Sequence, residues 1–125
     1  MYDSIYISYC YVDLNILLCD TFPIQAGDAK VISTVFPEPG GAGNTLIAGR
    51  RLGLDIAPVG MVGDDYYGGY LLDAYKKESI DTAYVKVLPG EETMKAVVLI
   101  DNLGKHAFVS MVDGVLDSVP DEAIA

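Results

Sequence analysis

Tryptophan is absent, histidine occurs once and cysteine twice in the 125 residues. One histidine without a second His or Cys nearby gives no zinc-type ligand set, so no metal is expected. Two thiols are too few for a disulfide framework; a reducing cytoplasm is the simplest setting, with Cys10 and Cys19 read as small buried hydrophobes. Basic residues are scarce, 8 Lys and Arg against 18 Asp and Glu, for a formal net charge of −10. With no cationic patch to neutralise phosphates, neither nucleic acid nor an anionic membrane is expected as a partner. No apolar run approaches the roughly 20 residues of a bilayer span, and no basic-then-apolar leader opens the chain. Repeats and low-complexity tracts are missing as well. What is present is a large apolar fraction, 51%, enough for the core of one ordinary domain.

Residues 5–12, Ile-Tyr-Ile-Ser-Tyr-Cys-Tyr-Val, carry little polarity on either alternating face, the pattern of a strand covered on both sides. Asp13 follows at its carboxyl end. Residues 14–36 predict a hairpin-type excursion with a second strand at Lys30–Phe36. The run Pro37-Glu38-Pro39-Gly40-Gly41-Ala42-Gly43-Asn44 can continue neither strand nor helix. A helix is expected from about Asn44 to Gly53, with Thr45, Ala48, Gly49 and Leu52 forming a small face that lies close to a sheet. Ile56–Val62 reads as a short strand in which Pro58 is tolerable only near the start or on an edge. Gly63-Asp64-Asp65 leads into a second helix, with Tyr67, Tyr70, Leu71 and Ala74 on one face and Lys76 and Lys77 complementing its end. Strands are expected at 84–88, 95–101 and 106–112, the last two joined by a turn at Asp101–Lys105. This order predicts an α/β fold: a core over 1–13, 37–83 and 113–125, and an antiparallel lid over 14–36 and 84–112. The lid would stand over the carboxyl ends of the core strands, where open α/β folds bind ligands.

Two features carry chemistry. The glycine-rich loop before Asn44 offers backbone N–H groups at a helix start, which suit an anion or sugar hydroxyls and serve equally well as a plain helix-capping turn. It is neither a complete dinucleotide fingerprint nor a Gly-Lys-Ser/Thr phosphate loop. Asp13, beside it, has the carboxylate to accept from two neighbouring hydroxyls of a polyol, or to form a turn. Asp64 and Asp65 read as an N-cap and a first-turn charge. Asp113, Asp117 and Asp121 read as a solvated acidic edge, since their spacing is not that of a calcium loop.

In order, the chain shows Val12-Asp13, Pro23-x-x-x-Gly27-Asp28, Pro39-Gly40-Gly41-x-x-Asn44 and Arg51-Leu52-Gly53. Val59-Gly60-Met61-Val62-Gly63-Asp64-Asp65-x-x-Gly68, Ser79-Ile80-Asp81-Thr82, and Thr93 before an Ala96-containing strand follow. Together these resemble the N-terminal part of the ribokinase-like, or PfkB, carbohydrate kinases over about Ile5–Asp117. The resemblance implies a partial Rossmann-type α/β core with a small β-sheet lid. It also implies ATP-dependent phosphorylation of a carbohydrate hydroxyl, with ATP and Mg²⁺ used by the full-length protein. Carried over residue by residue, Asp13 would hold sugar hydroxyls, Gly40, Gly41 and Asn44 would line the pocket, and Ala96 and Val98 would cover the substrate's apolar side. The sequence departs from the family in having two residues, not three, between the paired glycines and Asn44. It also has Ser8 where Gly is usual in the first strand, and Met94 where Gly usually follows Thr93.

Family members are more than twice as long, and the Gly-Ala-Gly-Asp motif that supplies the catalytic base and anion hole belongs to their C-terminal half. No catalytic residue is therefore expected in this chain, and the fragment is expected to be inactive and to bind no cofactor alone. The alternatives are a nucleoside kinase of the same family, and a non-catalytic sugar-binding or subunit-interface module that forms a homodimer through lid strands.

Overall fold

The structure, a computed structural model, describes residues 1–7 and 10–111. Its elements run β1 (Ser4–Ile7), β2 (Val12–Leu18), β3 (Ile32–Pro39), α1 (Gly43–Arg51), β4 (Ile56–Gly63), α2 (Tyr66–Lys77), β5 (Val85–Leu88), β6 (Lys95–Ile100) and β7 (His106–Ser110). They form two sheets, a core sheet ordered β1-β4-β5 and a four-stranded sheet ordered β3-β2-β6-β7, whose strands fall mostly within the residues expected for the lid and which is termed the lid sheet.

The core sheet is parallel throughout. Its central strand β4 is buried at every position, which is why its sequence is continuously apolar rather than alternating. Pro58 is the third residue of this central strand, near its start as expected. The N–H of Gly60 points toward β5 and donates to the Tyr84 carbonyl at 3.3 Å. Pro58, two residues earlier, aims its nitrogen to the same side, where β5 pairing has not yet begun, since the register opens at Gly60–Val85. The missing donor therefore costs no ladder bond. Helices α1 and α2 contribute Leu46, Leu71 and Tyr75 to a core shared with Ile56, Val62, Ile80 and Val85.

Several expectations are corrected. Residues 5–12 are not one strand: Cys10 and Tyr11 lie in no strand, and Val12 and Asp13 open β2 in the lid sheet. An apolar pattern of period 2 fits two consecutive strands as well as one and does not mark where a chain changes sheets. Residues 84–88 belong to the core sheet as β5, not to the lid, and Pro37–Pro39 complete lid strand β3. The lid is mixed rather than antiparallel: β2 pairs parallel with β6 and antiparallel with β3, and β6 pairs antiparallel with β7. Both β2 and β6 follow the carboxyl end of a core strand, β1 and β5 respectively, and run outward side by side. The buried face of α1 is Gly43, Leu46 and Gly49; Thr45, Ala48 and Leu52 are exposed. Cys10 is buried but Cys19 is exposed. Ser8, the core assignment of 113–125 and the Asp113, Asp117 and Asp121 recurrence lie outside the described residues.

One cluster fastens lid to core. Asp65 is the N-cap of α2 and accepts from the Gly68 N–H at 2.9 Å. The same carboxylate accepts from the N–H and the hydroxyl of Thr93, at 3.1 and 2.5 Å. The fully buried Thr93 hydroxyl in turn accepts from the Gly63 N–H at the end of β4, at 3.0 Å. Lys95, at the start of β6, brings its ammonium to 3.9 Å from Asp65 and lies over the Tyr67 ring. Gly63 and Gly68 are glycines because a Cβ on either would overlap a carbonyl, that of Glu91 or of Gly63 itself. Asp64 does not enter the first turn of α2; it accepts from the Gly90 N–H at 3.0 Å.

Burial alone would push the Asp65 carboxyl up, but the bonds from Thr93 and Gly68 and the nearby Lys95 outweigh it and hold it below the usual carboxylate range. Its stabilising contribution is therefore complete above the ordinary carboxylate pKa and is lost as pH falls through the lowered one. Replacing Asp65 with Ala removes a helix cap and strands a buried hydroxyl, and is expected to cost about 2–4 kcal/mol. Asp64→Ala removes one exposed bond and should cost at most about 1 kcal/mol. Urea unfolding at neutral pH compares them, and equal losses would contradict the asymmetry.

Candidate functional site

Asp13 is the second residue of β2. Across the lid sheet it stands opposite Glu38 on β3 and Ala96 on β6, while Asn15 stands opposite Phe36 and Val98. Residues two apart on a strand, and residues directly opposed across strands, share a face. One face of the lid therefore gathers Asp13, Asn15, Glu38, Ala96 and Val98. Asn15 is buried and donates from its amide to Glu38 at 3.3 Å. Ala96 and Val98 are each 6% exposed, leaving a small apolar floor beside the polar groups.

The glycine turn comes up against this face. Its first residue, Gly40, donates its N–H to the Tyr11 carbonyl at 2.9 Å, and Gly43 donates to the Gly40 carbonyl at 2.8 Å. The Gly40 Cα lies directly against the Asp13 carboxylate, so that any side chain there would run into it. Gly41 takes φ +55°, a left-handed conformation that favours glycine. Helix α1 starts at Gly43, with Ala42 as its N-cap and no side-chain bond to that cap. Asn44 is therefore not the cap; it stands exposed in the first turn, four residues beyond Gly40.

The electrostatics of Asp13 are unusual for a carboxylate next to a helix start. Burial pushes its carboxyl above the ordinary value, and the like charge of Glu38 pushes it further. No ion pair to Asp13 or Glu38 occurs among the described residues. A carboxylate in this position lacks donors, and two adjacent hydroxyls would supply them. Among the described residues, no three His, Cys, Asp or Glu side chains gather as a cation site. A groove of about 680 Å³ runs between α1 and α2 and includes Asp65, Tyr66 and Tyr70, but none of the six expected site residues.

The structure thus brings Asp13, Gly40, Ala96 and Val98 to one place, with Gly41 in the same turn and Asn44 at the start of the helix behind it. Glu38 and Asn15 were not foreseen in the sequence. The signal for Asn15 was available: Asp13-Leu14-Asn15 alternates polar with apolar inside an otherwise apolar stretch, as one face of a half-buried strand does. Glu38 becomes visible only once the β2–β3 register is known.

The pfkB family carbohydrate kinases match this sequence over residues 7–122. The ribokinase of Bacillus subtilis is 33% identical over 95 residues, which cover 75% of this chain and 32% of that protein. A fructokinase of Klebsiella pneumoniae is 35% identical over 75 residues, 59% of this chain and 24% of that protein. Among solved structures, a putative ribokinase from Agrobacterium tumefaciens has a TM-score of 0.77 at 25% identity, covering 97% of this chain and 40% of the other. A nucleoside kinase of Burkholderia thailandensis in complex with inosine has a TM-score of 0.73 at 23% identity, covering 86% of this chain and 36% of the other. This chain spans about a quarter to a third of the length of the curated relatives it matches. Since the match extends from the first core strand past the last lid strand, and both sheets have their counterparts in ribokinase-fold structures, the chain belongs to the pfkB family of carbohydrate kinases.

Proposed function

We propose that this chain is the N-terminal substrate-binding and lid part of an ATP-dependent kinase that phosphorylates a hydroxyl of a sugar. The observation that carries the reading is the Asp13 carboxylate, held against Gly40 on the lid face with no cation paired to it among the described residues; burial and the like charge of Glu38 push its pKa up. Vicinal sugar hydroxyls donate to such a carboxylate in pairs. Gly40, Gly41 and Asn44 line the same pocket from the turn, and Ala96 and Val98 pack against the C–H face of the ring. In this reading Glu38 sets how strongly Asp13 demands donors, and Asn15 fixes Glu38.

Phosphoryl transfer also needs a base for the attacking hydroxyl and groups that neutralise the charge on the transferring phosphoryl. The described residues show no set of ligands fitted to Mg²⁺, and no lysine follows the glycine turn to meet a nucleotide phosphate. We assign the base, ATP and Mg²⁺ to the remainder of a complete kinase. The contribution of this chain is acceptor binding and orientation.

The test is an ATP-consumption screen of the complete gene product against ribose, fructose, amino-substituted sugars and nucleosides. A sugar is expected to be phosphorylated, and Asp13→Ala is expected to lower kcat/KM roughly 10²–10³-fold, the worth of two charge-assisted hydrogen bonds. Preference for inosine or adenosine over every simple sugar would move the assignment to a nucleoside kinase. Turnover of none of them would end the kinase reading.

Asp13→Asn separates binding from stability. With its pKa raised, Asp13 favours folding in the protonated form; that contribution is full below the ordinary carboxylate pKa and is lost as pH rises through the raised one. At neutral pH the amide removes a charge repelled by Glu38. Asp13→Asn is therefore expected to unfold in urea no earlier than the wild type while losing sugar binding. A clear loss of stability at neutral pH would show that the ionised Asp13 is structural.

A further inference from the structure

Tyr75 is among the largest fully buried side chains, and its hydroxyl oxygen has no hydrogen-bond partner among the described residues. A phenylalanine would fill the same space without a polar atom to strand, so the hydroxyl is a standing cost in this arrangement of the chain. The ring projects from α2 into the cluster of Cys10, Val12, Ala42 and Leu46. The hydroxyl ends beneath the glycine turn, where a Cβ built on Gly43 would lie 3.8 Å from it. Burial drives the Tyr75 phenol and the neighbouring Cys10 thiol to higher pKa, so the phenol stays neutral and available as a donor.

The turn above it has acceptors to spare. The Gly40 carbonyl takes one bond, from Gly43, and the Ala42 carbonyl takes one, from Leu46 at 2.9 Å. A carbonyl has two lone pairs. The same turn bears on Asp13 through Gly40, and it contains Gly41 at φ +55°, a conformation that favours glycine. The free chain thus holds two unmatched groups against one turn, a carboxylate short of donors at Gly40 and a phenol short of an acceptor near Gly43.

We propose that Tyr75 is a positioning residue for sugar binding: in the sugar-bound arrangement its hydroxyl donates to a backbone carbonyl of the Gly40–Gly43 turn. The proposal rests on the reading of Asp13 and this turn as the sugar site. Tyr75 touches no substrate and acts only through the turn. A bond made in one arrangement and absent from the other biases the turn toward the first by the whole of its worth.

The test is Tyr75→Phe in the complete gene product, measured beside Asp13→Ala. Without sugar, the urea midpoint of Tyr75→Phe is expected to be unchanged or higher. Titrated with D-fructose and D-ribose, the variant is expected to bind roughly 3- to 10-fold more weakly, the equivalent of one hydrogen bond, with KM raised and kcat little changed. A lowered midpoint without sugar would overturn the proposal, because the hydroxyl would then be paired already, as by a buried water. Unchanged or tighter sugar binding would overturn it too. If Asp13→Ala abolishes binding while Tyr75→Phe binds like the wild type, only the role of Tyr75 falls. If the unmodified protein binds no sugar, both readings fall.

Discussion

The carboxylate of Asp65 holds two sheets in one register. It caps α2, takes both donors of Thr93 and thereby fixes the point at which the chain leaves the core for β6. Everything at the candidate site depends on that point. Residue Ala96 is opposite Asp13 only because β6 starts where Thr93 is anchored, and β2 pairs with β6 along six consecutive residues from Val12. The glycines around Asp65 serve the same end: Gly63 and Gly68 let three backbone segments meet at distances that exclude a Cβ. A Gly-Asp-Asp-x-x-Gly run is therefore the signature of a junction rather than of an acid pair for catalysis.

From this junction the lid extends as a sheet whose outer strands are only lightly covered. Strand β7 is exposed along its whole length, as is most of β3. Val35, Phe108 and Val109 are each more than half exposed. Burial is concentrated where the lid meets the core, at Val12, Thr93, Met94 and Ala96. The polar groups proposed for sugar lie at this same boundary. Water is partly excluded there, and a hydrogen bond to a carboxylate is worth more than it is in the open. The proposed binding chemistry thus sits at the buried end of the lid, and the far end is free of it.

Much of this was legible in the residues, and the failures have physical causes. Turn and helix signals located α1 and α2 because Gly-rich and Asp-rich runs interrupt the chain unambiguously. The extents of β4, β6 and β7 followed from apolar runs bounded by glycine and aspartate. Sheet membership was not legible. Residues 5–12 and 84–88 are apolar strands in either sheet, and only pairing partners far along the chain decide which. The lid's parallel β2–β6 pair was missed for the same reason. The α1 face was displaced because small residues on both sides of that helix blur its period, and only Gly43, Leu46 and Gly49 are buried. Asp13, Gly40 and Asn44 were legible as candidates from their order in the chain. Glu38 was not, since its part in the site comes from standing across a strand pair from Asp13.

The account turns on whether Asp13 lacks donors until a sugar supplies them. The direct measurement is the titration of its side-chain carboxyl, followed by ¹³C NMR in the complete gene product, with and without a saturating concentration of the sugar proposed as acceptor. The account predicts a pKa above the ordinary carboxylate value in the free protein and a clear downward shift on saturation, because hydroxyl donors favour the ionised form. An ordinary pKa in the free protein, or one that does not move when the acceptor binds, would contradict it.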